Sequence, residues 1–339
     1  MTDDENGSPP EPRPALAGLV QAVLLGEEPT LNRLEVAEQA GVDPAISQIL
    51  WRLLGFPNAS DTDIAFTHAD VEALKLSTDL MNLGVVSLES QAALVRTLAR
   101  SFARLAEWQT RLIAEIAESE EIDDAAYVTL TAEILPRIET LQNYIWRRHL
   151  ASASASLLTT EESAATGVQL AVCFVDIVGY TSRSKELDEG ELIEWLEQFE
   201  ADVTGVVVDH GGHVIKTIGD EVLFVVDDPQ AAAEIGLTLA ERGADDDDTF
   251  PAVRVGIAYG NVVRRLGDVF GPTVNIAARL TSVGRPGTVI VDEGFHDLLC
   301  PDHAPPETRA TGIKLRRLPR ASVKGYSRLE SWAVRRARS

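Results

Sequence analysis

Leu170-Ala-Val-Cys-Phe-Val-Asp-Ile-Val-Gly-Tyr-Thr181 opens on an unbroken apolar run, meets Asp176, and breaks at Gly179 before a segment of helical character. The run predicts a core strand over about 168 to 176, and the glycine predicts a turn from that strand into a helix. Further along, Val214-Ile-Lys-Thr-Ile-Gly-Asp-Glu-Val-Leu-Phe224 reads as a hairpin whose Gly-Asp turn carries Asp220. A hairpin turn placed beside a strand end brings Asp176 and Asp220 together. Such a pair supplies the hard oxygen ligands that Mg²⁺ or Mn²⁺ takes alongside substrate phosphates. The N–H groups of the turn at Gly179, Tyr180 and Thr181 are placed to cradle those phosphates. Taken singly, Asp220 is ordinary turn chemistry and Asp176 an ordinary helix cap.

Outward from this stretch, strands and helices alternate. Helices are expected at about 188 to 209, 228 to 242 and 271 to 283, with the hairpin at about 213 to 226. Strands are expected at about 252 to 258 and 288 to 292, a short helix after Asp292, and closing strands near 322 to 335. The order βαββαβ implies an α+β sandwich of ferredoxin-like type. Helix 271 to 283 begins at Gly271-Pro272 and places Asn275 and Arg279 on one face. An arginine so placed also reads as a surface residue covering its own stem.

The N-terminal side differs in texture. Residues 1–14 are acidic and Pro-rich, a composition expected to stay disordered. From 15 to 150 the pattern is helical throughout, with apolar residues at three- and four-residue spacing and arginines opposite them in 92–116. Residues 151–166, with Ala151-Ser-Ala-Ser-Ala-Ser156, read as a linker, although the same residues suit a helix extension. The remainder, 167–339, is the second domain. At 339 residues the chain is long enough for two cores.

The formal charge of −23 opposes non-specific attraction to nucleic acid or anionic lipid. No apolar run is long enough to span a bilayer, and the start has no basic and apolar signal segment. Cys173 and Cys300 form no disulfide framework or zinc spacing, so a soluble protein in a reducing cytoplasm is expected. The run Asp245-Asp-Asp-Asp248 reads as a solvated surface loop.

Four motifs occur in the order found in class III nucleotidyl cyclases: Phe174-Val-Asp-Ile-Val-Gly-Tyr-Thr181, Lys216-Thr-Ile-Gly-Asp220, Asp268-Val-Phe-Gly-Pro-Thr-Val-Asn-Ile-Ala-Ala-Arg-Leu280 and Val323-Lys-Gly325. The resemblance covers about 168 to 335 and implies that family's form of the ferredoxin-like sandwich, working as a dimer. It implies that Asp176, Asp220 and the Ile177 carbonyl hold two Mg²⁺ or Mn²⁺ ions. It makes Lys216 and Asp268 the purine-reading pair, the ammonium donating to an adenine ring nitrogen and the carboxylate accepting from the 6-amino group. Guanylyl cyclases usually carry Glu and a small residue at these places, so ATP is the expected substrate and cyclic AMP with pyrophosphate the expected products. Asn275 is then expected to orient the ribose and Arg279 to stabilise charge on the α-phosphate. Lys324 and Arg254 match residues that contact phosphates. In the family the metal aspartates come from one protomer and Lys216, Asp268, Asn275, Arg279 and Lys324 from the other, so a homodimer shares its sites. A guanylate cyclase and a silent nucleotide-binding module are the alternatives. The segment 261–267 is short and looks like the compact bacterial subtype.

Thr30 to Asp43 followed by Ile46 to Pro57 superficially reads as helix-turn-helix. Over 1–150, however, 11 basic residues face 24 acidic ones, and the second helix offers only Arg52 as a cation, so a packed helical module without nucleic acid is expected. This half also resembles the helical regulatory domain of soluble actinobacterial cyclases, resting on Glu35 to Val42, Trp51 to Pro57 and Phe66 to Asp70. The resemblance implies autoinhibition and a response to pH, with His68 and His149 as titratable candidates. An apolar ligand such as a fatty acid is compatible with the bundle.

Overall fold

The computed structural model of the protein describes residues 13–56, 59–82, 88–119, 122–159, 168–245, 247–299, 312–319, 321–323 and 326–337. Its contacts divide the chain into two compact units, Met1–Thr160 and Glu161–Ser339.

The first unit is helical: α1 Pro14–Leu25, α2 Arg33–Ala40, α3 Pro44–Leu54, α4 His68–Asn82, α5 Leu88–Ser119 and α6 Asp124–Thr159. Asn32 starts α2 by accepting the N–H groups of Leu34 and Glu35, while Glu35 returns a carboxylate to the Asn32 N–H. Asp43 caps α3 through the Ala45 N–H, and Pro44 fits its first turn. A small core of Leu31, Val36, Leu50, Val71 and Leu74 closes α2 to α4. The exposed side of α3 carries Ile46 and Ile49 beside Arg52, an apolar surface and not a row of phosphate-binding cations. α6 runs on through Thr159, so Ala151–Ser156 takes the helical form that its composition also suits. His149 is exposed on α6, and His68 Nδ1 lies 3.2 Å from Glu27 Oε2. Among the described residues no helix is long and apolar enough to cross a membrane.

The second unit contains β1 Val168–Ile177, α7 Tyr180–Arg183, α8 Glu189–Asp209, β2 His213–Ile218, β3 Glu221–Val226, α9 Pro229–Arg242, β4 Val253–Arg265 and β5 Asp268–Phe270. It continues with α10 Pro272–Val283, β6 Thr288–Val291, α11 Glu293–Leu299, β7 Ile313–Arg317, β8 Ala321–Val323, β9 Tyr326–Leu329 and β10 Trp332–Arg336. The main sheet runs β2-β3-β1-β4-β6-β10-β7. Its first four strands pair antiparallel, in the order of a ferredoxin-like sheet, and β4 and β6 pair parallel. β1 is apolar without alternation because both its faces are covered. Cys173, Val175 and Ile177 pack with α8, α9 and α11 on one side. Leu170, Val172 and Phe174 pack toward α10 on the other. α10 lies so close to β4 that a Cβ on Gly256 would stand 2.4 Å from the Thr281 N and 2.5 Å from the Ala277 O. Glycine at that position sets the depth of the helix that carries Asn275 and Arg279.

The structure adds β7, absent from the sequence reading, and extends β4 to Arg265, well past the expected end near 258. As far as Val262 the strand stays paired with β1, and only Val263–Arg265 pair with β5 as a projecting ribbon. Tyr259, Gly260 and Asn261 are half-buried or exposed, so this outer part lacks the apolar run that marks a core strand. The acidic run is not wholly solvated either: Asp248 accepts Nε–H and a terminal N–H from Arg242 at 2.8 and 3.2 Å. Cys173 is fully buried, which pushes its thiol up, and Cys300 lies outside the described residues.

Asp292, 7% exposed, starts α11 by accepting the N–H groups of Phe295 and Tyr259. Burial outweighs those bonds and raises its carboxyl from 3.8 to about 6. Between those values the folded chain holds a proton that the unfolded chain has lost. The contribution to stability is therefore complete below about pH 4 and disappears as pH rises through about 6. Asp292→Asn keeps an acceptor and removes the charge. Relative to the wild type it is expected to gain about 2–3 kcal/mol in denaturant stability between pH 4 and 7. Parallel pH profiles would overturn this account.

Candidate active site

The edge of the sheet at the end of β1 collects four charged groups. Asp176 stands opposite Glu221 in β3 and opposite Arg254 in β4, and all three point to the α10 face. Asp220 occupies the turn before β3, which closes because Gly219 adopts φ +64, a conformation open to glycine. The Asp220 carbonyl then accepts the Ile177 N–H at 3.1 Å and binds the turn to the end of β1. Hairpin and strand end meet as the sequence reading expected.

Arg254 is no bystander on a solvent face: its Nε donates to Asp176 Oδ2 at 2.5 Å. Even so, the Asp176 carboxyl is raised, by burial first and by neighbouring Asp220 further, against the pull of Arg254. Glu221, which the sequence reading passed over, is pushed to about 7 by burial and by the charges of Asp176 and Asp220. Its signal lay in the Gly-Asp-Glu order at the hairpin turn. Three carboxyl groups thus gather around one guanidinium, and the cluster is short of positive charge. A divalent cation fits that deficit. Among the described residues no set of three or more acidic, histidine or cysteine side chains forms a ready cage. An ion held by Asp176 and Asp220 therefore needs further oxygens, such as the Ile177 carbonyl and substrate phosphates.

After β1 the chain turns through Gly179 into α7. The N–H groups of Ile177 and Val178 are taken by the carbonyls of Asp220 and Ala252. Those of Gly179, Tyr180 and Thr181 have no acceptor among the described residues, so three adjacent donors stand beside the carboxylate cluster. The Tyr180 ring stacks on Trp195 of α8 at 6.2 Å and fixes the turn against the core.

A second group forms on the same face of the sheet. Lys216, opposite Leu223 in the hairpin, donates from Nζ to Asp268 Oδ2 at 2.5 Å, and Asp268 Oδ1 accepts the Val269 N–H at 2.8 Å. Both side chains stay partly open to solvent, at 39% and 28%. Asn275 and Arg279 project from α10 and make no side-chain hydrogen bond or ion pair among the described residues. The structure does not bring either into bonding contact with the carboxylate cluster or with Lys216 and Asp268. Lys324 lies outside the described residues.

Residues 163–336 match the adenylate and guanylate cyclase catalytic domain. An adenylate cyclase of Glutamicibacter nicotianae is 38% identical over 289 residues, covering 79% of this chain and 72% of its own length. An adenylate cyclase of Streptomyces coelicolor is 35% identical over 331 residues, 91% of this chain and 86% of its own. Among solved structures, the adenylyl cyclase CyaB of P. aeruginosa aligns at 24% identity and TM-score 0.41, over 50% of this chain and 95% of that one.

Proposed function

The chain belongs to the adenylate and guanylate cyclase catalytic-domain family and is an adenylate cyclase, and from that premise we propose that it closes ATP to cyclic AMP and pyrophosphate at sites shared by two copies of the chain. The observation that carries the choice of adenine is the Lys216–Asp268 pair. An ammonium beside a carboxylate matches a ring nitrogen beside a 6-amino group, whereas the 6-oxo group of guanine would meet Asp268 acceptor to acceptor.

In this reading Asp176, Asp220 and the Ile177 carbonyl hold two Mg²⁺ or Mn²⁺ ions. When bound, they acidify the ribose 3′-hydroxyl and offset triphosphate charge. Asp176 exchanges its bond to Arg254 for that role, which leaves Arg254 available to the terminal phosphates. Gly179, Tyr180 and Thr181 donate backbone N–H groups to the phosphates. Asn275 orients the ribose, Arg279 neutralises charge gathering on the α-phosphate, and Lys324 adds a further phosphate contact. The lack of side-chain partners for Asn275 and Arg279 among the described residues supports a site completed by a second copy. Exposed Leu98, Phe102, Trp108, Tyr144 and Trp146 on α5 and α6 support pairing of the helical unit as well. That unit restrains catalysis and responds to pH, and the protein works in the cytoplasm without nucleic acid. An apolar ligand of the bundle belongs to the same proposal.

The test is product formation by purified protein with Mn²⁺, given ATP or GTP, across about pH 5 to 8. Cyclic AMP from ATP in large excess over cyclic GMP is expected. Residues 161–339 assayed alongside should turn over faster than the full chain. Equal use of GTP would overturn the purine assignment, and a fragment no faster at any pH would overturn the restraint.

A further inference from the structure

The carboxylate cluster is one end of a row of charges that crosses the sheet on its α10 face. Glu221, Asp176 and Arg254 stand opposite one another in β3, β1 and β4, and Arg254 stands opposite Thr288 in β6. Beyond Thr288, Arg335 follows the Val334–Val289 pair in β10 and stands opposite Lys314 in β7. Each step is one strand, about 4.8 Å. The row is acidic at β3 and β1 and basic at β10 and β7.

At the basic end lies a cavity of about 510 Å³ lined in part by Arg285, Thr288, Arg316, Leu318, Ser331 and Arg335. The guanidinium groups of Arg285, Arg316 and Arg335 make no ion pair or hydrogen bond among the described residues. Arg242, Arg254, Arg317 and Arg336 of the same unit are all engaged by carboxylates. In a chain with 53 acidic and 30 basic residues, three uncompensated guanidiniums around one cavity mark it for an anion. Ser331 is an independent sign. It is 2% exposed, lines the cavity, and its hydroxyl has no hydrogen-bond partner among the described residues.

We propose that this cavity is a second anion site, separate from the nucleotide site, that takes an oligophosphate such as pyrophosphate. Three arginine forks match several phosphate oxygens at once, which a monoanion does not require. The cavity volume lies within the usual range for small-molecule sites. Pyrophosphate as the resident ligand rests on the cyclase reading, since it is the product released beside Arg254. The site itself does not rest on that reading, because its arginines bind without a metal.

The experiment is calorimetric titration of inorganic pyrophosphate into the full chain at low salt with EDTA, which needs no turnover and no metal. One site per chain is expected. Arg254→Ser should retain it, and the triple variant Arg285→Ser, Arg316→Ser, Arg335→Ser should weaken it about tenfold or more. All three arginines are exposed, so an unchanged melting temperature is expected, and Arg316→Glu alone provides a second variant with the same direction of effect. Absence of binding, or binding lost in Arg254→Ser and kept in the triple variant, would overturn the proposal while leaving the cyclase assay untouched.

Discussion

Asp176→Ala and Arg279→Ala chains, each at about a hundredth of the wild-type rate or less by itself, are expected to regain about a quarter of the wild-type rate when mixed in equal amounts. About half the dimers in such a mixture hold one chain of each kind. Each of these has one site with both residues intact and one with neither. Asp176 is occupied by Arg254, and Arg279, half-buried on α10, meets no carboxylate of its own chain among the described residues. An arginine left without a partner beside a helix face is suited to charge that arrives with substrate and a second copy. Arg279→Ala alone should lower kcat by about 10²–10³ with a smaller change in KM, as for loss of a donor to developing charge. The measurement is cyclic AMP formation by differently tagged chains after subunit exchange, in the mixture and again in purified mixed dimers, where about half the wild-type rate is expected. No recovery in verified mixed dimers would place both residues in one chain's site.

The second large effect concerns the purine. Lys216→Glu together with Asp268→Cys is expected to reduce the ratio of kcat/KM for ATP over GTP by at least about 10². In the structure Asp268 is locked by Lys216 Nζ on one oxygen and by the Val269 N–H on the other, so it presents a fixed acceptor. The double change substitutes an acceptor for the donor and removes the carboxylate that opposes a 6-oxo group. Asp268→Cys alone leaves Lys216 half-buried without its counter-charge and should lose activity toward both nucleotides. Steady-state kinetics with each nucleotide decide it. An unchanged ratio in a folded double variant would mean that the pair is structural.

The core of the catalytic unit was legible residue by residue. The unbroken apolar run of β1, the Gly-Asp turn of the hairpin, and the Gly-Pro start of α10 each state a local conformation through sterics and burial that neighbours do not alter. The meeting of Asp176 with Asp220 was legible as well, since a strand end and a hairpin turn in a βαββ order have one common edge. Glu221 was not, because a glutamate after a turn is unremarkable until β1 places Asp176 opposite it. Nor was Arg254, whose alternating strand gives the same pattern whether the residue faces water or a carboxylate. β7 escaped because a strand at the margin of a sheet buries little apolar surface, and the outer part of β4 because Tyr259-Gly-Asn261 interrupts its apolar run although the strand still pairs with β1.

Local chemistry written in short segments was therefore determined by the sequence itself: most of the elements, their order and the family's four motifs. Which charges face one another was decided only by the tertiary structure. The row from Glu221 to Lys314 joins residues from six strands, and its partners are set by strand order and register. Coulomb energy and desolvation depend on those through-space distances. A sequence carries them only after the chain has folded.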